Sequence, residues 1–427
     1  MAVTGAARSL AVFPGGSLGE YNLPPELSLV LARGEGAAVW DTDGRRFTDF
    51  TMGWGSVILG HAHPAIVEAV RHQVTLGSNF AYVSAPALEL AEELTRAVAC
   101  AERVRFCASG TEAAAYAVRL ARAFTDRPKI VKFEGAYHGA NEIGVMSLFP
   151  SGRLPFPAAE PTSAGLSAGA VAGVLVAPYN DLAATEAIVK AHAAEVAAVI
   201  VEPLHRCTPP VPGFLAGLRA LTAATGSVLI FDETVTGFRL AYGGAQAYYG
   251  VQPDLATFGK ALGGGCPLGA IAGRGDIMNL VREDRLGSAG YVWFASSLGG
   301  NPVSAAAAVA TLGELRRDGT YARLFAAGEA LRSGLRATLA EAGVTAQVQG
   351  DGPLAAVVFT DRPVTEYRSM LGADRRRARA FLLGLFRRGI FLNPMSTKLY
   401  LSLAHTEADI ACLLDAARSA LRDRVDA

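Results

Sequence analysis

Leu255-Ala256-Thr257-Phe258-Gly259-Lys260-Ala261-Leu262-Gly263-Gly264-Gly265 reads as a short buried strand, Leu255 to Phe258, that runs into a lysine and a glycine-rich turn. A lysine at the end of a core strand is costly to desolvate. Burial disfavours the ammonium form, so the pKa falls and the neutral amine becomes a nucleophile able to form a Schiff base with an aldehyde. The alternative is a lysine whose stem lies along apolar surface while its head reaches water. Five further apolar segments of strand length precede it: Val104–Cys107, Lys129–Phe133, Gly173–Ala177, Ala197–Val201 and Val228–Phe231. Helical stretches separate these segments. That alternation predicts an α/β fold with a mostly parallel sheet covered on both faces.

The flanks read differently. Residues 1–35, with Pro14-Gly15-Gly16 and Pro24-Pro25, suggest an extended N-terminal arm. Val39 to Phe47 suggests a hairpin closed by Asp43-Gly44, and Pro64 suits the first position of a helix. After about residue 303 an Ala-rich helix leads to charged helices and to strands near Ala355–Phe359 and Leu399–Leu403. The expected organisation is an arm over 1–35, a small α+β domain over 36–75 and 310–427, and a large α/β domain over 76–309. The 427 residues carry a formal net charge of zero, which argues against electrostatic binding of nucleic acid or an anionic membrane. No apolar run reaches spanning length, and no secretory leader is read at the N-terminus. Five scattered cysteines suit neither a disulfide framework nor a zinc site. A cytoplasmic protein without a bound metal is expected.

Ligands of open parallel sheets bind beyond the carboxyl ends of the strands, and the chemistry-bearing residues cluster there. Ser109-Gly110-Thr111-Glu112 links a strand to a helix and offers backbone N–H groups and a positive dipole end to a phosphate. The same residues also read as a capping box. Asp232 ends the strand Val228–Phe231 and could hold a pyridine nitrogen protonated, or serve as a cap or structural ion-pair partner. Glu202 ends the neighbouring strand, either as a second active-site carboxylate or as a residue that only supports one. Tyr137 and His138 follow Phe133, where an aromatic could cover a flat cofactor or simply pack in its loop. Phosphate turn, aromatic, carboxylate and lysine, each on a strand end, form the set that a pyridoxal 5'-phosphate (PLP) site requires.

With these residues in place the chain resembles the class III aminotransferases, PLP-dependent transferases of fold type I, and among them the glutamate-1-semialdehyde 2,1-aminomutase branch. The resemblance rests on Ile58-Leu59-Gly60-His61-Ala62-His63-Pro64, Ser109 to Ala113, Lys132 to Gly139, Ala177 to Asp181, Asp232 to Arg239, Gly259-Lys260, Gly300-Asn301-Pro302 and Ser402 to Thr406. It implies a large domain with a mostly parallel sheet plus a smaller α+β domain. It implies that Lys260 forms the internal aldimine and shuttles the proton, Asp232 pairs with the pyridine nitrogen and Tyr137 stacks on the ring. Ser109, Gly110 and Thr111 would hold the phosphate, with Glu202 among the cofactor contacts. Ser297 would reach the phosphate of the neighbouring subunit in a homodimer with shared active sites.

The resemblance is incomplete around the substrate. The aminomutases carry an arginine shortly after the N-terminal Pro-Gly-Gly; here Ser17-Leu18-Gly19-Glu20-Tyr21 follows. Their Gly-Asn pair after Glu-Pro is replaced by Leu204-His205-Arg206-Cys207, and a glutamate near the C-terminal strand by Met395-Ser396-Thr397-Lys398. The expected function is therefore an aminotransferase working between a small-molecule amine donor and a carbonyl acceptor, with intramolecular aminomutase chemistry as the alternative. Trp54, Arg206 and Lys398 are the candidate substrate contacts; arginine suits a carboxylate because its fork is bidentate. A silent PLP-fold scaffold is opposed by Lys260 and Asp232. An NAD enzyme is opposed by the lack of Gly-x-Gly-x-x-Gly.

Overall fold

The computed structural model describes residues 5–19, 21–395 and 398–423. The chain forms two compact units. The first takes residues up to Pro64, Asp318–Val364 and those from Gly372 on; the second takes Ala65–Arg317 and Thr365–Leu371. Residues 65–75 and 310–317 thus go with the large unit, not with the small one as the sequence suggested.

In the first unit, strands β1 (Leu31–Glu35), β2 (Ala38–Asp41) and β3 (Arg46–Asp49) form an antiparallel meander. The β2–β3 turn forms because Asp41 Oδ1 accepts the N–H groups of Asp43 (3.0 Å) and Arg45 (2.8 Å), and because Gly44 takes a φ of +83°. The arm differs from the expected extended segment: Gly5–Val12 is helical, and β1 pairs with β2. Trp54 lies in a short turn with φ +59°, its ring edge-on to Tyr21 at 5.6 Å.

The second unit holds β4 (Arg103–Cys107), β5 (Lys129–Phe133), β6 (Val174–Ala177), β7 (Val196–Val201), β8 (Val228–Asp232), β9 (Leu255–Phe258) and β10 (Gly269–Gly273). They form one sheet in the order β4-β10-β9-β8-β7-β5-β6, with β10 antiparallel to both neighbours. Alternating residues feed two cores. Ala198, Ile200 and Ile230 pack with Ala113, Ala117 and Leu120 of the helix Gly110–Thr125. Val199, Val201 and Phe231 pack on the other face with Phe214 and Leu218 of the helix Phe214–Thr225. All six expected strands are present. The seventh, β10, was hidden by its composition, Gly-Ala-Ile-Ala-Gly. Close approach demands small residues there: a Cβ on Gly269 would lie 2.2 Å from the Ser109 carbonyl oxygen, and one on Gly273 would lie 2.5 Å from that of Asp254.

The remaining strands belong to the first unit: β11 (Gln347–Gln349), β12 (Leu354–Val358), β13 (Ile390–Phe391) and β14 (Lys398–Tyr400). β13 joins β3 in parallel, and β11-β12-β14 form a separate sheet. The Lys398 ammonium lies 5.1 Å from the Tyr400 ring centre. Ser396, Thr397 and Glu20 lie outside the described residues. Among the described residues no helix is long and apolar enough to cross a membrane.

Candidate active site

Strand order sets the site. Along the carboxyl edge of the second unit's sheet come the Ser109-Gly110-Thr111 turn after β4, Lys260 after β9, Asp232 at the end of β8, Glu202 after β7 and Tyr137-His138 after β5. Residues scattered over about 150 positions of sequence are thereby brought onto one edge.

The turn after β4 caps a 16-residue helix. Ser109 Oγ accepts the Glu112 N–H at 3.2 Å, and the Ala113 N–H bonds to the Ser109 carbonyl. The N–H groups of Gly110 and Thr111 have no intrahelical acceptor and point with the positive dipole end at the site. The capping box is only half formed: Ser109 caps the helix, the Glu112 carboxylate accepts from the Ala108 N–H at 3.1 Å and from Ser296 Oγ at 2.9 Å, and two donors are left for an anion. Glycines let the surrounding loops close on the turn. A Cβ on Gly110 would lie 2.7 Å from Thr234 Cγ2, one on Gly139 2.6 Å from Thr111 Cα, and one on Gly259 3.6 Å from Gly110 Cα. Thr111 Oγ1 also accepts the Ala140 N–H at 3.2 Å. Turn, aromatic loop and lysine loop thus converge.

Asp232 is buried and accepts from His138 Nδ1 (2.7 Å), Thr257 Oγ1 (3.0 Å) and the Thr234 N–H (3.1 Å). Burial pushes its pKa up, but the bonds from His138 and Thr234 outweigh burial and hold the carboxyl below its ordinary range. It is an anion kept charged inside the protein. Its neighbour Glu233 is the contrast: burial raises it to about 7, and it spends its oxygens on the Ala245 N–H and on Gln246. His138, which the sequence only places in the loop beside Tyr137, is Asp232's partner. Thr257 and Thr234 were missed. Thr257 sits opposite Asp232 in the β8–β9 register, a pairing that alternation alone does not reveal.

Lys260 is half-buried and has φ +43°, in the left-handed region that residues other than glycine rarely adopt. Such a backbone costs roughly 1–2 kcal/mol and persists at functional positions. Arg206 has the same strain, at φ +59°. Tyr137 is 37% exposed, and its N–H donates to Glu202 Oε1 at 2.8 Å. Ser297 is exposed; its carbonyl accepts from Asn79 Nδ2 at 3.0 Å. Trp54 and Lys398 belong to the first unit.

One buried neighbour titrates. His205 is fully buried against the Tyr179 ring (4.8 Å), with no hydrogen-bond partner at either ring nitrogen among the described residues. Burial lowers its pKa from 6.5 to about 4, against the pull of Glu202. The folded state therefore binds fewer protons than the unfolded state between those values, so this stabilisation is complete above pH 6.5 and is lost on acidification to about pH 4. The loss amounts to about 3 kcal/mol. His205→Phe is expected to flatten that part of the stability–pH curve; denaturant titrations at pH 4 and 7 check it, and an unchanged slope would contradict it.

A model of the aminotransferase class-III family matches residues 22–421. The glutamate-1-semialdehyde 2,1-aminomutase of Roseiflexus castenholzii is 42% identical over 423 residues, 97% of this chain and 96% of that protein. The crystal structure of an omega-transaminase from Sphaerobacter thermophilus superposes with a TM-score of 0.92 at 37% identity, covering 98% of this chain and 96% of that one. A transaminase solved with PLP bound gives a TM-score of 0.88 at 33% identity, covering 98% and 96%. The α/β architecture, with its mostly parallel sheet, is fold type I of the PLP-dependent transferases. On both sequence and structure the chain belongs to the class III aminotransferase family.

Proposed function

We propose that this chain is a PLP-dependent enzyme that moves an amino group between an amine-bearing and a carbonyl carbon, with Lys260 as its reactive amine. The observation that carries this reading is Asp232, a buried carboxylate held ionised on the strand beside the one that leads into Lys260. PLP, when bound, supplies an aldehyde for a lysine amine and a pyridine ring that withdraws electrons from the bond being broken. The residues present fit that group. The Gly110 and Thr111 N–H groups and the Ser109 hydroxyl take its phosphate. Asp232 holds a proton at the ring nitrogen, oriented by His138 and Thr257. Tyr137 covers the ring, and Glu202 fixes the Tyr137 backbone. Lys260 Nζ, as a neutral amine, moves the proton between the two carbons that exchange it.

The reaction has two versions. The name of the 42% identical relative favours the aminomutase, and this support is more direct than that for separate donor and acceptor. The two-substrate version is favoured by this chain's own departures, above all Arg206-Cys207 after Glu202 and the lack of an arginine between Gly16 and Arg33. PLP-loaded protein given glutamate-1-semialdehyde alone, and separately an amine donor with a keto acceptor, tests both. Amino transfer in at least one arm is expected; silence in both, with PLP bound, overturns the proposal. Turnover without an acceptor assigns the aminomutase, and a strict need for a second carbonyl compound assigns the aminotransferase.

The working unit of the proposal is a cytoplasmic homodimer with Ser297 serving the partner's phosphate. Exposed apolar residues on both sides of the Asn79–Ser297 bond support it: Leu76, Phe80, Tyr82 and Val83 on one, Trp293 and Leu298 on the other.

A further inference from the structure

We propose that Arg206 is a positioning residue, whose guanidinium staples the Tyr137 loop to the turn after β7, and not an anchor for a substrate carboxylate. The inference rests on the proposed function for its cofactor arm. Four hydrogen bonds close a ring between two neighbouring strand ends. Glu202 accepts the Tyr137 N–H at Oε1 (2.8 Å) and the Arg206 N–H at Oε2 (3.1 Å). Arg206 Nε (3.0 Å) and Nη2 (2.8 Å) both donate to the Gly135 carbonyl. Only a planar fork brings two donors onto one oxygen in this way; an ammonium on a flexible stem does not.

The backbone says that the side chain matters. Arg206 sits at φ +59°, a conformation glycine would take without strain, so the arginine is present for its fork. Gly135 is fixed from the other side. It has φ +79°, and a Cβ there would lie 2.4 Å from the Tyr367 ring. The Gly135 carbonyl therefore has one orientation, and Arg206 meets it. Two residues on, Tyr137 presents its ring. Without the Arg206 fork the Gly135 carbonyl loses both of its side-chain donors, and of this ring the loop keeps only the Tyr137 N–H bond to Glu202. The guanidinium's Nη1 and its lack of a carboxylate partner among the described residues make the substrate-anchor reading the rival outcome.

Arg206→Gly suits the backbone and removes the fork; Arg206→Lys keeps the charge and loses the bidentate bond. In cofactor-free protein, amide exchange in the 135–139 segment is expected to accelerate at least tenfold in both variants, with β7 unchanged. In PLP-loaded protein, the visible circular dichroism of the cofactor is expected to fall by half or more in both. The reactivity ratio of aminooxyacetate to O-methylhydroxylamine, which differ by a carboxylate, is expected to change less than twofold. Unaltered exchange and dichroism in both variants would overturn the proposal. So would a tenfold fall of that ratio in Arg206→Gly, restored in Arg206→Lys. Failure of the wild-type protein to take up PLP would sink the proposed function, while the exchange measurement still decides the staple.

Discussion

Lys260→Ala is expected to abolish turnover, by at least about 10³-fold, while leaving the thermal midpoint unchanged or slightly raised. The chain has only five lysines, and structure separates them. Lys129 pairs with Glu195 at 2.9 Å and Lys190 with Glu186 on one helix face. Lys132 is shut in a core strand, and Lys398 belongs to the first unit. Lys260 alone stands at the carboxyl edge, one strand from Asp232 and beside the Gly110 turn. Its backbone is strained at φ +43°, and replacing the long side chain by a methyl removes functional chemistry without removing core packing. Borohydride treatment of the PLP-loaded protein followed by peptide mass analysis checks the assignment. The cofactor mass should appear on the peptide containing Lys260 and on no peptide of Lys260→Ala. Lys129→Ala and Lys190→Ala should retain wild-type turnover. A reduced cofactor adduct on Lys132, or residual turnover in Lys260→Ala within tenfold of wild type, would remove the lysine from its proposed role.

The division between what sequence revealed and what it concealed follows from the range of the interactions. Strand ends punctuated by Gly, Asp or Ser are local signals, so β4 to β9 and the residues that follow them could be read directly. β10 could not, because the packing that requires glycine at Gly269 also erases the β-branched pattern by which strands are read. The Asp232 partners depend on register across four strands, from His138 after β5 to Thr257 in β9. No periodicity encodes that. Arg206 shows a different limit. From residue type alone a bidentate arginine near a substrate pocket points to a carboxylate, yet its fork is spent on a backbone carbonyl exposed by a left-handed glycine. Fold and cofactor site are thus written in local punctuation, whereas the orientation of each functional group is written in long-range hydrogen bonds.

Lys132→Met is expected to destabilise the second unit by about 3–5 kcal/mol, the cost of leaving several buried carbonyls without a donor. Lys132 lies inside β5 with no exposed surface. Its Nζ donates to the carbonyls of Ala136 (2.9 Å), Ile143 (3.3 Å), Gly144 (3.2 Å) and Met146. The loop from Ala136 to Met146 is wrapped around this one side chain, whose at most three N–H donors are shared among four inward-facing carbonyls that no strand or helix satisfies there. Methionine matches the stem in length and offers no donor, so four acceptors are left to find water or to unfold the loop. A unit of this size should lose roughly 10 °C in thermal midpoint. The damage should not stop at stability. Tyr137 and His138 ride on the same loop, and His138 holds Asp232 at 2.7 Å. Loosening the cage should therefore weaken PLP retention and open the segment to proteolysis between residues 136 and 146. Calorimetry, PLP titration and limited digestion of Lys132→Met measure the three effects. A midpoint within 2 °C of wild type would mean that the caged ammonium is not what holds the loop, and Glu202 and Arg206 would then have to orient Tyr137 unaided.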